Sequence, residues 1–151
     1  MPKILNLTQH PATPEQVSAG VFEPQDKSEV QRLLTFDDLP SSEEVWDRAR
    51  KLAQIARREG ATSAMIGGAP YLMAPLEEEL VQGGSSVAPL YAFSVRKSVE
   101  KVVDGQTVKA SVFVHIGFYR AQGTFMAKGD PVYWPTRWEA TPEGVAFQTP
   151  G

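Results

Sequence analysis

Three short polar segments of this chain carry groups that can do chemistry, and each follows an apolar run. Thr8-Gln9-His10 follows Lys3 to Leu7, Gly67-Gly68 follows Thr62 to Ile66, and Ser94 and Arg96 follow Pro89 to Phe93. A histidine exchanges a proton near neutral pH. Adjacent glycines let backbone approach a ligand closely, and a helix behind them adds unpaired N–H groups and a positive dipole end. An arginine grips phosphate through two parallel donors. Together these groups suit a small anionic, nucleotide-type ligand.

Each group also has a plainer reading. Gly67-Gly68 is neither a Walker loop nor a GxGxxG, and a tight strand-to-helix turn would use it equally well. The His10 ring fits as the partner of a backbone carbonyl. Arg96 and Glu100 fit a cross-sheet ion pair. His115, between Phe113 and Phe118, reads as packing, and Tyr71, Tyr91 and Phe93 read as core. Trp134 and Trp138 read as an aromatic cap or an interface anchor.

The elements that must position these groups follow from pattern. Lys3 to Leu7 reads as a central strand. Thr13-Pro14-Glu15-Gln16 is a helix start with a capping box, and Gly20 stops that helix. Val21 to Glu23 reads as a strand and Lys27 to Leu34 as a short helix. Ser41-Ser42-Glu43-Glu44 caps the best helix of the chain, with Val45, Ala49, Leu52, Ala53 and Ala56 on one face. Its arginines, Arg48, Arg50, Arg57 and Arg58, read as a solvated face. Thr62 to Ile66 is a buried strand, followed by a helix over Tyr71 to Gln82 with Pro75 in its first turn or at a kink. Pro89 to Phe93 is the next strand. Lys97 to Val103, Asp104-Gly105 and Thr107 to Ile116 form an antiparallel hairpin.

Alternating strands and helices predict an α/β fold, a Rossmann-like parallel sheet with crossover helices, extended by that hairpin. Residues 1–120 form the predicted domain, and residues 121–151 a β-rich tail or arm with strands at Val132 to Trp134 and Val145 to Phe147. In such sheets ligands sit beyond the carboxyl ends of the strands, where the three polar segments lie.

Composition narrows the function classes. The 151 residues carry a net charge of −3, so no global basic field exists for long nucleic acid. There is no cysteine, which excludes disulfides, thiolate nucleophiles and iron–sulfur clusters. Two histidines make a histidine-rich metal site a poor expectation, and no metal or cofactor is predicted. No stretch reaches transmembrane length and no signal peptide opens the chain, so a cytoplasmic protein without a membrane partner is expected.

Several segments resemble a known family. Leu7-Thr8-Gln9-His10 with Thr13-Pro14-Glu15-Gln16, Met65-Ile66-Gly67-Gly68, Pro89 to Arg96, and Phe113-Val114-His115-Ile116-Gly117-Phe118 resemble, in order, segments of small CRISPR-associated ring-nuclease-type proteins. Ala69-Pro70 departs from the Gly-Asp-like loop of that family, Lys27 to Glu59 fits it loosely, and residues after Arg120 have no counterpart. The resemblance implies a fold related to CARF domains, a homodimer, and a cyclic oligoadenylate bound across the two-fold axis, with metal-independent cleavage by ribose 2′-hydroxyl attack. It implies Gly67, Gly68 and Arg96 on the phosphate, Thr8 and Ser94 on the ribose, and His10 as acid or base, while Gln9, from the same strand end as Thr8, is a further ligand-binding candidate. The rival expectations are a non-enzymatic Rossmann-like module that binds another protein, and a hydrolase or transferase of a mononucleotide or sugar phosphate.

Overall fold

The structure is a computed structural model that describes residues 2–82 and 85–121, together with two strands, Arg137–Thr141 and Gly144–Gln148. Its centre is strand β1, Ile4–Leu7, in which every residue is buried. A parallel strand covered on both faces needs such a run. Leu5 and Leu7 join one core cluster, and Ile4, of opposite parity, joins the other.

A five-stranded sheet has the order β2-β1-β3-β4-β5, with β2 at Val21–Phe22, β3 at Ser63–Ile66, β4 at Ala88–Val103 and β5 at Gln106–Arg120. The first four strands are parallel and β5 runs antiparallel to β4. The architecture is therefore mixed α/β, as the alternation of elements predicts.

The larger core lies between one sheet face and helices α2 (Lys27–Leu34), α3 (Ser42–Arg58) and α4 (Pro70–Val81). The smaller core, Ile4, Val21, Met65, Leu90 and Phe118, packs with Ala12 and Ala19, which flank helix α1 (Pro14–Ser18). Local rules set these boundaries. Thr13 and Gln16 form the reciprocal capping box that starts α1. Ser41 caps α3 by accepting from the Glu44 N–H, but the Glu44 carboxylate turns to Arg48 instead of reaching back to the cap.

Two of the α3 arginines are not the solvated face that the sequence predicts. Arg48 donates to the carbonyls of Arg32 and Thr35 and so closes the end of α2. Arg57 donates to the carbonyls of Glu79, Gln82 and Ser85 and closes the end of α4. Helix ends leave carbonyls without intrahelical partners, and a guanidinium fork can serve several at once. Arg50 and Arg58 remain exposed, with loose pairs to Asp47 and Glu29. Pro75 sits a turn further into α4 than its first turn, where its nitrogen cannot donate to the Tyr71 carbonyl.

The strand predicted to end at Phe93 does not end there. β3 and β4 stop pairing at Met65 and Leu90, whereas β4 continues with β5 to Val103. From Tyr91 onward the two strands form an arm roughly 40 Å long at about 3.3 Å per residue. Period-2 alternation through Val95, Lys97 and Val99 continues the strand, because β5 answers it across the ladder. Phe93 pairs with Gly117 and Ser94 with His115, which leaves Ile116 as the extra residue of a bulge. At the tip, Asp104 and Gly105 have φ of 51° and 77°, as a tight two-residue hairpin turn requires.

Strands β6 (Arg137–Thr141) and β7 (Gly144–Gln148) form a second hairpin, with Trp138 opposite Phe147. The predicted strand at Val145 to Phe147 lies in β7. The one at Val132 to Trp134 lies outside the described residues. No helix among the described residues is long and apolar enough to cross a membrane.

Candidate functional site

β1 and β3 are neighbours in register, Leu7 opposite Ile66, so the chain leaves both at the same level. Thr8 and Gly67 are the residues that step out. A Cβ built on Gly67 would lie 3.6 Å from the Thr8 methyl, an ordinary contact. Gly68 has φ of +141°, a conformation that only glycine adopts without strain. Ala69 then caps α4 without a side-chain hydrogen bond, and Pro70 takes the first helical position.

These two chain exits form one wall of a cleft of about 430 Å³. Thr8, Gln9, His10, Gly67 and Gly68 all line it, so two of the three predicted segments meet. Thr13, the cap of α1, and Gln16 within it close one side, and Tyr91 and Ala92 of β4 close another. Apart from His10, no ionisable side chain but the Tyr91 phenol lines the cleft among the described residues. No three metal-ligating side chains are grouped among the described residues.

The third predicted segment lies elsewhere. β4 passes the cleft at Tyr91 and Ala92, and Ser94 and Arg96 follow on the arm, outside the cleft lining. They share a strand face with Ala92, two and four residues beyond it. The Arg96 guanidinium stacks over the Phe113 ring at 5.2 Å, and among the described residues it makes no ion pair with Glu100. Glu100 is opposite Lys109 in the ladder instead.

The loop Thr8-Gln9-His10 is shaped by Asn6, which is 1% exposed. Asn6 Nδ2 donates to the His10 carbonyl at 2.8 Å and to the Glu23 carboxylate at 3.0 Å. Asn6 Oδ1 accepts from the Thr8 N–H at 3.0 Å and from the Thr8 hydroxyl at 2.7 Å. Glu23 also accepts from the Ala12 N–H at 2.8 Å. A buried amide with partners on both ends is a rigid template. It holds the backbone of His10 and leaves the exposed ring on the cleft wall. Gln9 is fixed separately, its amide nitrogen donating to Thr35 Oγ1 at 3.1 Å and to the Leu34 carbonyl at 3.4 Å.

Three flanking groups are electrostatically perturbed. The Tyr91 hydroxyl donates to Glu77 Oε2 at 2.8 Å. Burial, together with the Glu77 carboxylate, pushes the Tyr91 phenol well above its usual range, and burial also raises Glu77 against the opposing hydrogen bond from Tyr91. His115, across the ladder from Ser94, packs on the Phe118 ring at 4.7 Å. Burial lowers its pKa, and the Glu15 charge partly opposes that.

Reading residues in sequence finds Thr8, Gln9, His10, Gly67 and Gly68 but misses Asn6, Glu23, Gln16, Tyr91 and Glu77. Asn6 did carry a signal, since a polar residue inside a fully buried strand must find partners. Tyr71 and Phe93, predicted as core, are partly exposed: Tyr71 packs edge-on against Phe36 at 5.2 Å and Phe93 against Tyr119 at 5.5 Å. Tyr71 also borders a second, wider groove of about 600 Å³ with Trp46 and Leu39.

No curated protein and no solved structure matches the chain. Residues 2–119, which span the α/β sheet and its arm, match the Uncharacterized protein MJ1673 family, and the chain belongs to that family.

Proposed function

We propose that the cleft binds a nucleotide-type ligand, with a cyclic oligoadenylate as the best candidate, on a Rossmann-like scaffold that works as a homodimer. The observation that carries this reading is the convergence of Thr8, Gln9, His10, Gly67 and Gly68 on one cleft at the strand ends. Such crevices are where open α/β sheets place their ligands. With no acidic side chain on its lining among the described residues, the cleft does not repel a phosphate there, and the backbone at Gly67 and Gly68 gives close approach.

The reaction that fits these groups is cleavage of the ring by its own ribose. A 2′-oxygen forms a bond to the adjacent phosphorus and the bond from phosphorus to the 5′-oxygen breaks. The products are a 2′,3′-cyclic phosphate and a free 5′-hydroxyl. The 2′ proton leaves to a base, and the 5′-oxygen gains a proton from an acid. His10 is assigned that proton transfer, Thr8 the ribose, and Gly67 and Gly68 the phosphate. Ser94 and Arg96, on the arm, reach such a ligand only where it extends along the face they share with Ala92.

Incubation with cyclic tri-, tetra- and hexa-adenylate, following both binding and products, tests the reading. Binding of at least one ring supports it, and cleavage to a 2′,3′-cyclic phosphate supports the chemistry. No binding of any ring overturns it. A second reading, a scaffold that engages another protein, is favoured by the arm, where Val102, Val103 and Phe113 are exposed.

A further inference from the structure

Which atoms of a ligand the cleft wall can accept follows from the hydrogen bonds already made around it. Thr8 has one hydroxyl proton, given to Asn6 Oδ1 at 2.7 Å with the His10 carbonyl a second inward acceptor at 3.1 Å. One of the two Thr8 lone pairs accepts from the His10 N–H at 3.4 Å, which leaves the other for a ligand. The Gln9 amide nitrogen faces away, toward the Leu34 carbonyl and Thr35 Oγ1. The one Tyr91 hydroxyl proton is given to Glu77 at 2.8 Å. All three residues line the cleft. A hydroxyl carries one donor and two acceptor lone pairs, and a carboxamide carries two donors on nitrogen and two lone pairs on oxygen. With the donors committed inside the fold, what remains on each side chain is an oxygen with a free lone pair.

We infer that Thr8, Gln9 and Tyr91 form a wall of hydrogen-bond acceptors that selects ligands presenting N–H or O–H groups and turns their phosphates toward Gly67 and Gly68. This rests on the nucleotide reading of the cleft and adds the ligand's orientation and its specificity. Phosphate oxygens are acceptors only, so they find no partner on this wall. An exocyclic amine or a ribose hydroxyl finds one. Tyr91 is the specificity residue of the wall, and Glu77, acting through it, is a positioning residue. Burial and the neighbouring carboxylate hold the phenol protonated through neutral pH, which keeps its proton on the bond to Glu77.

The two donor sources in a nucleotide, base amine and ribose hydroxyl, are separable by substitution in the ligand. Binding of cyclic tetra-adenylate is compared by titration calorimetry with that of its inosine analogue, which replaces the amine by a carbonyl, and of its 2′-deoxy analogue. Wild type is expected to bind at least one analogue tenfold or more weaker than the parent, and which one it is names the donor. Tyr91→Phe keeps the ring and removes the oxygen. It is expected to bind the parent five- to tenfold weaker and to lose much of the discrimination. Glu77→Gln, which lets a carboxamide donate to the phenolic oxygen, is expected to blunt the same discrimination with the Tyr91 ring in place. Unfolding midpoints of both variants near that of wild type exclude a folding defect as the cause.

Both analogues binding wild type within twofold of the parent would overturn the inference. So would a Tyr91→Phe protein that binds more weakly yet discriminates as wild type does, since that is loss of packing alone. These results leave the nucleotide reading intact, whereas wild type binding none of cyclic tri-, tetra- and hexa-adenylate removes both.

Discussion

Asn6 Nδ2 donates to the His10 carbonyl oxygen across 2.8 Å, and this bond couples the centre of the sheet to the cleft wall. The same amide holds Glu23 and accepts twice from Thr8, so both ends of the Thr8-Gln9-His10 loop are tied to one buried side chain.

Asn6→Ala removes that template and leaves the Thr8 N–H and the Glu23 carboxylate without their partner. Lost buried hydrogen bonds with stranded partners cost about 1–3 kcal/mol, more where a charge is involved. A loss of about 3 kcal/mol in urea unfolding is expected, with weaker ligand binding when the surviving folded protein is assayed. An unchanged unfolding midpoint would show that water replaces Asn6 without cost.

The two glycines are expected to behave differently although they are adjacent. Gly67→Ala adds a methyl at ordinary contact distance from Thr8 and is expected to change stability by less than about 1 kcal/mol. Gly68→Ala forces a side chain into φ of +141° and is expected to cost about 1–3 kcal/mol. Equal midpoints for the two variants would contradict the assigned backbone conformation.

Much of this was legible before the structure. The Thr13–Gln16 capping box, the ends of β1 and β3 and the Asp104-Gly105 turn are local features written in adjacent residues. What stayed hidden depends on partners distant in the chain. Asn6 needs Glu23, Gln9 needs Thr35, and Tyr91 needs Glu77. Ser94 and Arg96 were misplaced for a related reason. A strand's end depends on its neighbour as well as on its own pattern, and β5 carries β4 far past the point where β3 stops.

Arg57 is the clearest case of a residue whose role the pattern conceals. Arg57→Ala frees the carbonyls of Glu79, Gln82 and Ser85. Hydrogen bonds from a charged donor contribute about 1.5–3 kcal/mol each when well formed, though partial exposure of this end weakens them. A loss of about 2 kcal/mol is expected, with faster amide exchange in the last turn of α4. Arg50→Ala, on the exposed face, is expected to change neither.

His115 gives a pH dependence of defined sign. Its folded pKa lies below the unfolded value of 6.5, because burial disfavours the imidazolium. Below pH 6.5 the unfolded chain therefore binds more protons at this residue than the folded protein, and stability falls as the pH falls, levelling off below the folded pKa. His115→Phe removes this component. Between pH 7.5 and 5.5, wild type is expected to lose more stability in urea unfolding than His115→Phe. An equal or larger loss in the variant would refute the assignment.

The central claim is that the cleft at the ends of β1 and β3 is the ligand site. Mapping amide chemical shifts by two-dimensional NMR while cyclic tri-, tetra- or hexa-adenylate is added tests it most directly. The expected result is a saturable shift centred on Thr8, Gln9, His10, Gly67, Gly68 and Tyr91. Shifts confined to the groove around Trp46 and Tyr71, or none with any ring, would contradict it.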